Sequence, residues 1–181
     1  DPIADFTPIG RVSTFDFALA TGPATHAKSM TEYLAWARDP AHKAAFGSPG
    51  PGTVPHFIGQ GLAERAKVPL VHVPYRGAAP SVVDVIGGAL SMTIAPLADL
   101  TEHHKAGKLR VLATSGSKPT TALARIPTLK DAGVDLVVDG WYGLYAPAGI
   151  DAATQQRLSA ALQAAGPAMA EALARTGLVA A

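Results

Sequence analysis

Apolar positions along this chain switch between two periods, and the switches mark its elements. Phe15, Phe17 and Leu19 fall at every second position, which predicts a strand. Met30, Tyr33, Leu34 and Ala37 then recur at helical spacing. Ser29 and Glu32 precede that run in the Ser-x-x-Glu spacing, where each side chain satisfies an amide of the first turn. Asp39-Pro40 ends it, because proline disfavours helix in the residue before it. The cycle repeats. Residues 44–47 read as a short buried strand, 48–52 as a Gly/Pro loop and 53–66 as a helix. Residues 70–73 are strand-like, and Tyr75-Arg76-Gly77 is a turn. Pro80 opens a helix with Val82, Val83 and Ile86, and Gly87-Gly88 closes it. Residues 90–94 form a strand, 97–106 a helix stopped by Gly107, and 109–114 a strand. Strands alternating with roughly ten-residue helices mean βαβ units, hence an α/β fold with a mostly parallel, doubly wound sheet.

After Thr114 the rhythm changes. Residues 115–121 are a polar loop. Ile126-Pro127-Thr128 leads into a short helix ending at Gly133. Residues 136–138 and 143–146 look like strands. Asp151 caps an Ala-rich helix to about Ala165, and a last helix covers about 168–175.

Bulk composition narrows the function. With 48% hydrophobic and 16% charged residues, the chain is a folded globular one. A net charge of +1, with basic residues scattered singly, argues against nucleic acid as a partner. The absence of cysteine removes disulfides, thiolate metal sites and Cys nucleophiles together. No stretch approaches the ~20 apolar residues of a membrane helix. The chain opens on Asp1-Pro2, not Met, and so reads as a processed or trimmed piece.

Ligands of open parallel sheets bind beyond the carboxyl ends of the strands. Two loops qualify. In the first, residues 46–53, the glycines allow close backbone approach. The helix after it offers unpaired amides and a positive dipole end, which favour an anion, and the hydroxyls of Ser48 and Thr53 add hydrogen bonds. A tight turn with a Thr cap is the plainer alternative. The loop is not a nucleotide phosphate loop, since no Gly-Lys-Ser/Thr follows. Nor is it a dinucleotide fingerprint, since Gly50-x-Gly52 lacks a third glycine. The second loop, residues 72–77, presents the phenol of Tyr75 and the guanidinium of Arg76, a bidentate partner for carboxylates. The alternative there is an edge-packed Tyr75 and a solvated Arg76.

These loops sit within a longer ordered series. It runs Asp5-Phe6-Thr7-Pro8-Ile9, then Phe46-Gly47-Ser48 with Gly50, Gly52, Thr53 and His56. His72-Val73-Pro74-Tyr75-Arg76-Gly77, Ala79-Pro80 and Asp84 with Gly87-Gly88 follow. Ala106-Gly107-Lys108-Leu109-Arg110, Ile126-Pro127-Thr128, Ala132-Gly133, Trp141-Tyr142-Gly143-Leu144 and Ala146-Pro147-Ala148-Gly149 complete it. Order and spacing over almost the whole chain resemble the tripartite tricarboxylate transporter substrate-binding proteins, or Bug receptors. The resemblance implies a periplasmic, two-lobed, type II periplasmic-binding-protein-like fold that closes on a small carboxylate, with no cofactor and no catalysis. Membrane transporter subunits would be its partners. By position, Ser48, Gly50, Gly52, Thr53, His56, Tyr75, Arg76, Gly77 and Ala95 become the candidate ligand residues.

Departures from the family pattern sharpen the expectation. Val54-Pro55 replaces a further hydroxyl after Thr53. Arg76 stands where Lys is frequent. Ala95-Pro96 stands where an Asp near the cleft is frequent, which implies a ligand without an ammonium group. Family members carry a longer amino-terminal first lobe and a further carboxy-terminal helix. The expected organisation is therefore a hinge strand and first-lobe remnant at 1–12, the ligand-binding second lobe at 13–138, and a hinge return with first-lobe helices at 139–181. Phe6, Trp141, Leu144 and Tyr145 would then expose apolar surface and favour dimerisation.

Two rivals belong to other classes. A ligand-sensing domain of a transcription regulator can share the two-lobed fold, but such domains lack these loops, and no DNA-binding segment is present. A metal-dependent hydrolase would use His26, His56, His72, His103 or His104. Adjacent His103 and His104 point apart on a helix, where metal pairs want three- or four-residue spacing. Ser115-Gly116-Ser117 is not a Gly-x-Ser-x-Gly elbow.

Overall fold

The computed structural model describes Asp1 and residues 3–181. They form two compact units, residues 16–139 and residues 1–15 with 140–181. Strand β1 (Phe6–Thr21) runs through both.

In the 16–139 unit, β1 is followed by α1 (Met30–Ala37), β2 (Ala45–Ser48), α2 (Val54–Ala66), β3 (Val71–Pro74), α3 (Ala78–Ile86), β4 (Met92–Pro96), α4 (Leu97–Lys105) and β5 (Arg110–Thr114). The strand order is β3-β2-β4-β1-β5. β2 is parallel to β3 and β4, while β1 is antiparallel to β4 and β5. The strands β3, β2, β4 and β5 thus share one direction, and β1 alone opposes them. The strand-helix rhythm predicts the parallel part because each of those strands is joined to the next by a crossover helix. The same rhythm misleads at β1, which α1 likewise joins to β2 but which inserts antiparallel between β4 and β5.

Both faces of this sheet are covered. Ala18, Ala20, Ala95 and Val111 pack with Val82 and Val85 of α3 and Leu97 and Leu100 of α4. The alternate positions Leu19, Ile94 and Leu112 point the other way and are equally buried. On that side α2 brings Gly59 against the ring of Phe46. Ile58 and Leu62 of α2 are fully buried, each contributing roughly 2 kcal/mol. The Ser29–Glu32 box forms: Ser29 Oγ accepts the Glu32 amide (3.2 Å), and Glu32 reaches back to the Lys28 amide (2.8 Å). Tyr33 is buried, bonded to Ser91 Oγ (3.2 Å), and burial pushes its phenol up to about 12.

The other unit pairs β6 (Asp139–Pro147) and β7 (Val179–Ala180) with β1. Helix α5 (Ala152–Arg175) is fixed to β1 by Ser159 Oγ donating to Ile9 O (2.8 Å) and Gln155 Nε2 to Pro8 O (3.0 Å).

Three local expectations are corrected. The two final helices are one helix with Pro167 inside it. The residue before Pro167 is Gly166, which has no Cβ to meet the proline ring, and alanines on both sides favour helix. The helix expected to end at Gly133 is only a turn. Thr128 and Asp131 do pair as a cap, with each backbone amide donating to the other's side chain (3.2 and 3.0 Å). Gly133 at φ +87 then stops the chain before a nucleus of useful length exists. Residues 136–138 are not a strand, although Val138 N donates to Ser115 O (2.8 Å).

Candidate functional site

Parallel pairing of Ser48 with Pro74 brings the carboxyl ends of β2 and β3 side by side. The loops that leave them, 48–53 and 75–77, are joined by Tyr75 N donating to Ser48 O (3.0 Å) and Gly77 N to Pro49 O (3.1 Å). Both loops run directly into helices. Eight of the nine predicted site residues therefore converge on one sheet edge. The ninth, Ala95, lies near the same edge on β4 but is fully buried, so it shapes the floor only through its backbone and volume.

The helix starts at this edge share a property. Neither Thr53 before α2, Gly77 before α3, nor Pro96 before α4 supplies a side-chain cap. Helices α1 and α5 do have caps, Ser29 and Asp151 respectively. Uncapped first-turn amides and about half a positive charge per helix end make the edge receptive to anions. At the Thr53 start Pro55 has no second-position N–H to offer, and the Thr53 hydroxyl donates to Gly50 O (2.7 Å) without bonding the His56 amide at the third position. Gly52 at φ +73 and Gly77 at φ +98 hold left-handed backbone, and a Cβ at either would point into open space. The two loops thus present bare backbone to solvent, with exposed Arg76 next to Gly77 in the second loop.

Behind the backbone stands a stack of rings. His56 lies on His72 (centroids 4.0 Å, 19° between planes), and His72 lies on Phe46 (5.0 Å). His56 Nδ1 accepts the Gly52 amide (3.1 Å), which fixes that nitrogen as unprotonated. Ser48 Oγ donates to Gly50 O (3.0 Å), so the 2.7 Å contact with His72 Nε2 is one in which histidine donates. Burial, and then the neighbouring His56, hold His72 below the ordinary imidazole value. The Ser48–His72 pair superficially resembles a nucleophile and its base. Ser48 is fully buried, however, and its proton is given to a carbonyl. The pair braces the loop.

Tyr75 is likewise a brace. Its hydroxyl donates to Asp84 Oδ2 of α3 (2.6 Å), and burial together with that carboxylate pushes the phenol up to about 12. The residues facing outward are Gly52, Thr53, His56, Arg76 and Gly77. Those holding them in place are Ser48, Gly50, His72, Tyr75 and Asp84.

His72 and Asp84 were missing from the predicted site. Both carried a signal: His72 lies two positions before Pro74 on the strand that leads into Tyr75, and Asp84 is the lone acid of apolar helix α3, flanked by Val83 and Val85. Of the histidines weighed as metal ligands, His56 and His72 stack on each other, and His26 and His104 line a cleft elsewhere. No group of three or more metal-ligating side chains occurs among the described residues, and no helix among them is long and apolar enough to cross a membrane.

Residues 1–180 match the family of tripartite tricarboxylate transporter family receptors. A UPF0065 protein from the gbd 5' region of Cupriavidus necator is 33% identical over 165 residues, covering 91% of this chain and 50% of the relative. The solved structure of a periplasmic transporter superposes with a TM-score of 0.87 at 31% identity, covering 100% of this chain and 61% of that one. An R. palustris protein solved with adipate superposes at 0.88 with 24% identity, covering 99% and 61%, a likeness of fold. The chain spans about half the length of the curated relatives it matches.

Proposed function

The chain belongs to the tripartite tricarboxylate transporter receptor family, and on that premise we propose that it captures a small organic carboxylate in the periplasm for a membrane transporter, without catalysis. The observation that carries this is the cluster of uncapped helix starts at one sheet edge. The 16–139 unit is the ligand-binding lobe in this reading. The carboxylate sits against the amides of Thr53 and Val54, beside Gly52, with His56, Arg76 and Gly77 around it. Ser48, Gly50 and Tyr75 position those groups, and Ala95 limits the depth. A dipole end and a guanidinium favour negative charge, and two left-handed glycines keep side chains out of its way. Ala95-Pro96 itself carries no carboxylate to meet an ammonium group, which favours a ligand lacking one, although Asp99 lies in the first turn of α4. Adipate, bound by the R. palustris neighbour, is a rational first probe.

Exposed Phe6, Trp141, Leu144 and Tyr145 in the other unit support self-association through that face. Sedimentation of the chain reads this directly.

The test is a thermal-shift series with adipate, malate, benzoate and amino acids. Ligand at about a hundred times its Kd stabilises by roughly 2.7 kcal/mol. Carboxylates are expected to raise the melting temperature, and Arg76→Glu and Thr53→Ala to reduce the rise. A rise with amino acids alone, or carboxylate shifts untouched by Arg76→Glu, would refute the assignment.

A further inference from the structure

The edge of the 16–139 sheet opposite the candidate site holds a separate cleft of about 450 Å³. Thr21 at the end of β1 pairs with Arg110 at the start of β5, and these strand ends form its wall. Five basic side chains line it, His26, Lys28, His104, Lys108 and Arg110, with no Asp or Glu among the lining residues. Among the described residues Lys28, Lys108 and Arg110 make no ion pair. Glu32 accepts the backbone amide of Lys28 (2.8 Å) but does not line the cleft.

Like charges gathered in a concavity repel one another, so their convergence needs a cause. The negative pole of α4 is one, and it accounts for His104 at that helix's end. Its reach is limited, because Gly107 N and Lys108 N already donate to His104 O and His103 O (both 3.0 Å). Lys28 and Arg110 stand on other elements. The loop carrying His26 is also built rigidly. Thr21 Oγ1 donates to Ser91 O (2.7 Å) and so accepts from Thr25 Oγ1 (2.7 Å), and Thr25 in turn accepts the Ala27 amide (3.2 Å). Both threonines are buried. This network holds His26 in the left-handed region, φ +52, an unfavourable setting for a residue with a side chain. His104 has its Nδ1 occupied by the Val111 amide (3.2 Å), which leaves Nε2 as a donor. Burial, and then the charge of Arg110, hold His104 below the ordinary imidazole value.

We propose that this cleft is a second binding site, for a small multivalent anion of the phosphate, sulfate or polycarboxylate class. Its volume is in the range of small-molecule sites. Lys28, Lys108 and Arg110 supply charge, and His26 and His104 supply directed donors. It is independent of the carboxylate site at the other edge.

Inorganic pyrophosphate, which has no carboxylate, is the probe. Titration followed by amide chemical shifts is expected to saturate, with the shifts centred on Gly22, Ala27 and Gly107. Lys108→Glu/Arg110→Glu is expected to weaken binding by roughly tenfold or more, while Thr53→Ala leaves it unchanged. Lys28→Ala and Lys108→Ala, single truncations of exposed side chains, give the same direction should the double variant fail to fold. No saturation at millimolar pyrophosphate overturns the proposal. So does equal affinity in all variants, or shifts confined to residues 50–56. Saturable binding of an oligo-aspartate peptide with none of pyrophosphate overturns the small-anion assignment.

Discussion

Replacing Gly59 by alanine tests how the core supports the candidate site. Two effects oppose each other. Gly59 is in the interior of α2, where alanine is worth up to about 1 kcal/mol more than glycine in helix propensity. Against this, a Cβ at Gly59 would run into three ring carbons of Phe46, Cδ2, Cε2 and Cζ. That ring is 1% exposed and is backed by His72, so it has nowhere to retreat. Forcing a methyl into such a place costs about 1–3 kcal/mol and occasionally more. The clash is with three carbons of a trapped ring, and the upper part of that range applies. The net is a loss of roughly 1–2 kcal/mol, or some 2–8 °C of melting temperature for a chain of this size. Gly61, two residues along the same helix, is the control. Its added Cβ would meet the tips of Arg65 (3.2 Å) and Leu136 (3.3 Å), both flexible, so Gly61→Ala is expected to be neutral or stabilising. Phe46 is also the base of the ring stack that ends at Gly52, so Gly59→Ala is expected to weaken carboxylate binding while Gly61→Ala does not. Thermal and urea unfolding of both variants read the first effect, and calorimetry with adipate the second. A Gly59→Ala protein melting at or above the parent would refute the packing argument.

Other expectations follow from single contacts. Tyr75→Phe removes the 2.6 Å bond to Asp84, and at this half-buried position should cost about 1 kcal/mol in urea unfolding. Spectrophotometric titration should show Tyr33 and Tyr75 ionising only near pH 12, with one of those two late transitions gone in Tyr75→Phe. His72 and His104 are both depressed, chiefly by burial. As pH falls below about 6.5 the unfolded chain therefore takes up protons first. Stability is full above that pH and declines below it, and His72→Gln should flatten part of the decline. The raised carboxyls of Asp16 and Asp99 act in the opposite sense, and His72→Gln leaves them in place, so comparing the two proteins' melting curves between about pH 8 and pH 5.5 isolates the histidine part. A decline on acidification no steeper in the parent than in His72→Gln would contradict the sign. Ser29→Ala removes the α1 cap and should cost about 1 kcal/mol, measured by urea unfolding.

What the residues reveal in advance depends on how local the deciding interaction is. The run from Ala45 to Thr114 was legible because each strand there is joined to the next by a helix, and period, caps and glycine stops lie within a few residues of what they control. The direction of β1 was not, since Phe15, Phe17 and Leu19 fix only that a strand exists. Its opposition to β4 and β5 is decided by partners such as Ile94 and Ala113, far along the chain. Residues 168–175 were misjudged for the reverse reason: Pro167 is a strong local breaker, and its effect was cancelled by a glycine beside it.

The candidate site divides in the same manner. Gly50, Gly52, Thr53 and Gly77 could be selected because a glycine-rich loop before a helix is a contiguous pattern. The groups that fix those loops, His72 under His56 and Asp84 under Tyr75, depend on strand register and on helix α3 docking against β2. Thr53 joins the two cases. Its place before the helix was readable, and so was Pro55. Pro55 removes only the second-position N–H; the His56 amide at the third position, the one that the Ser29 and Asp151 caps use in their own helices, is still present. What leaves that amide uncapped is the Thr53 hydroxyl turning back to Gly50 O, a contact of the folded loop that the residues alone do not reveal. The receptive helix start is thus part legible, in the proline and the glycines, and part a product of how the loop folds on itself.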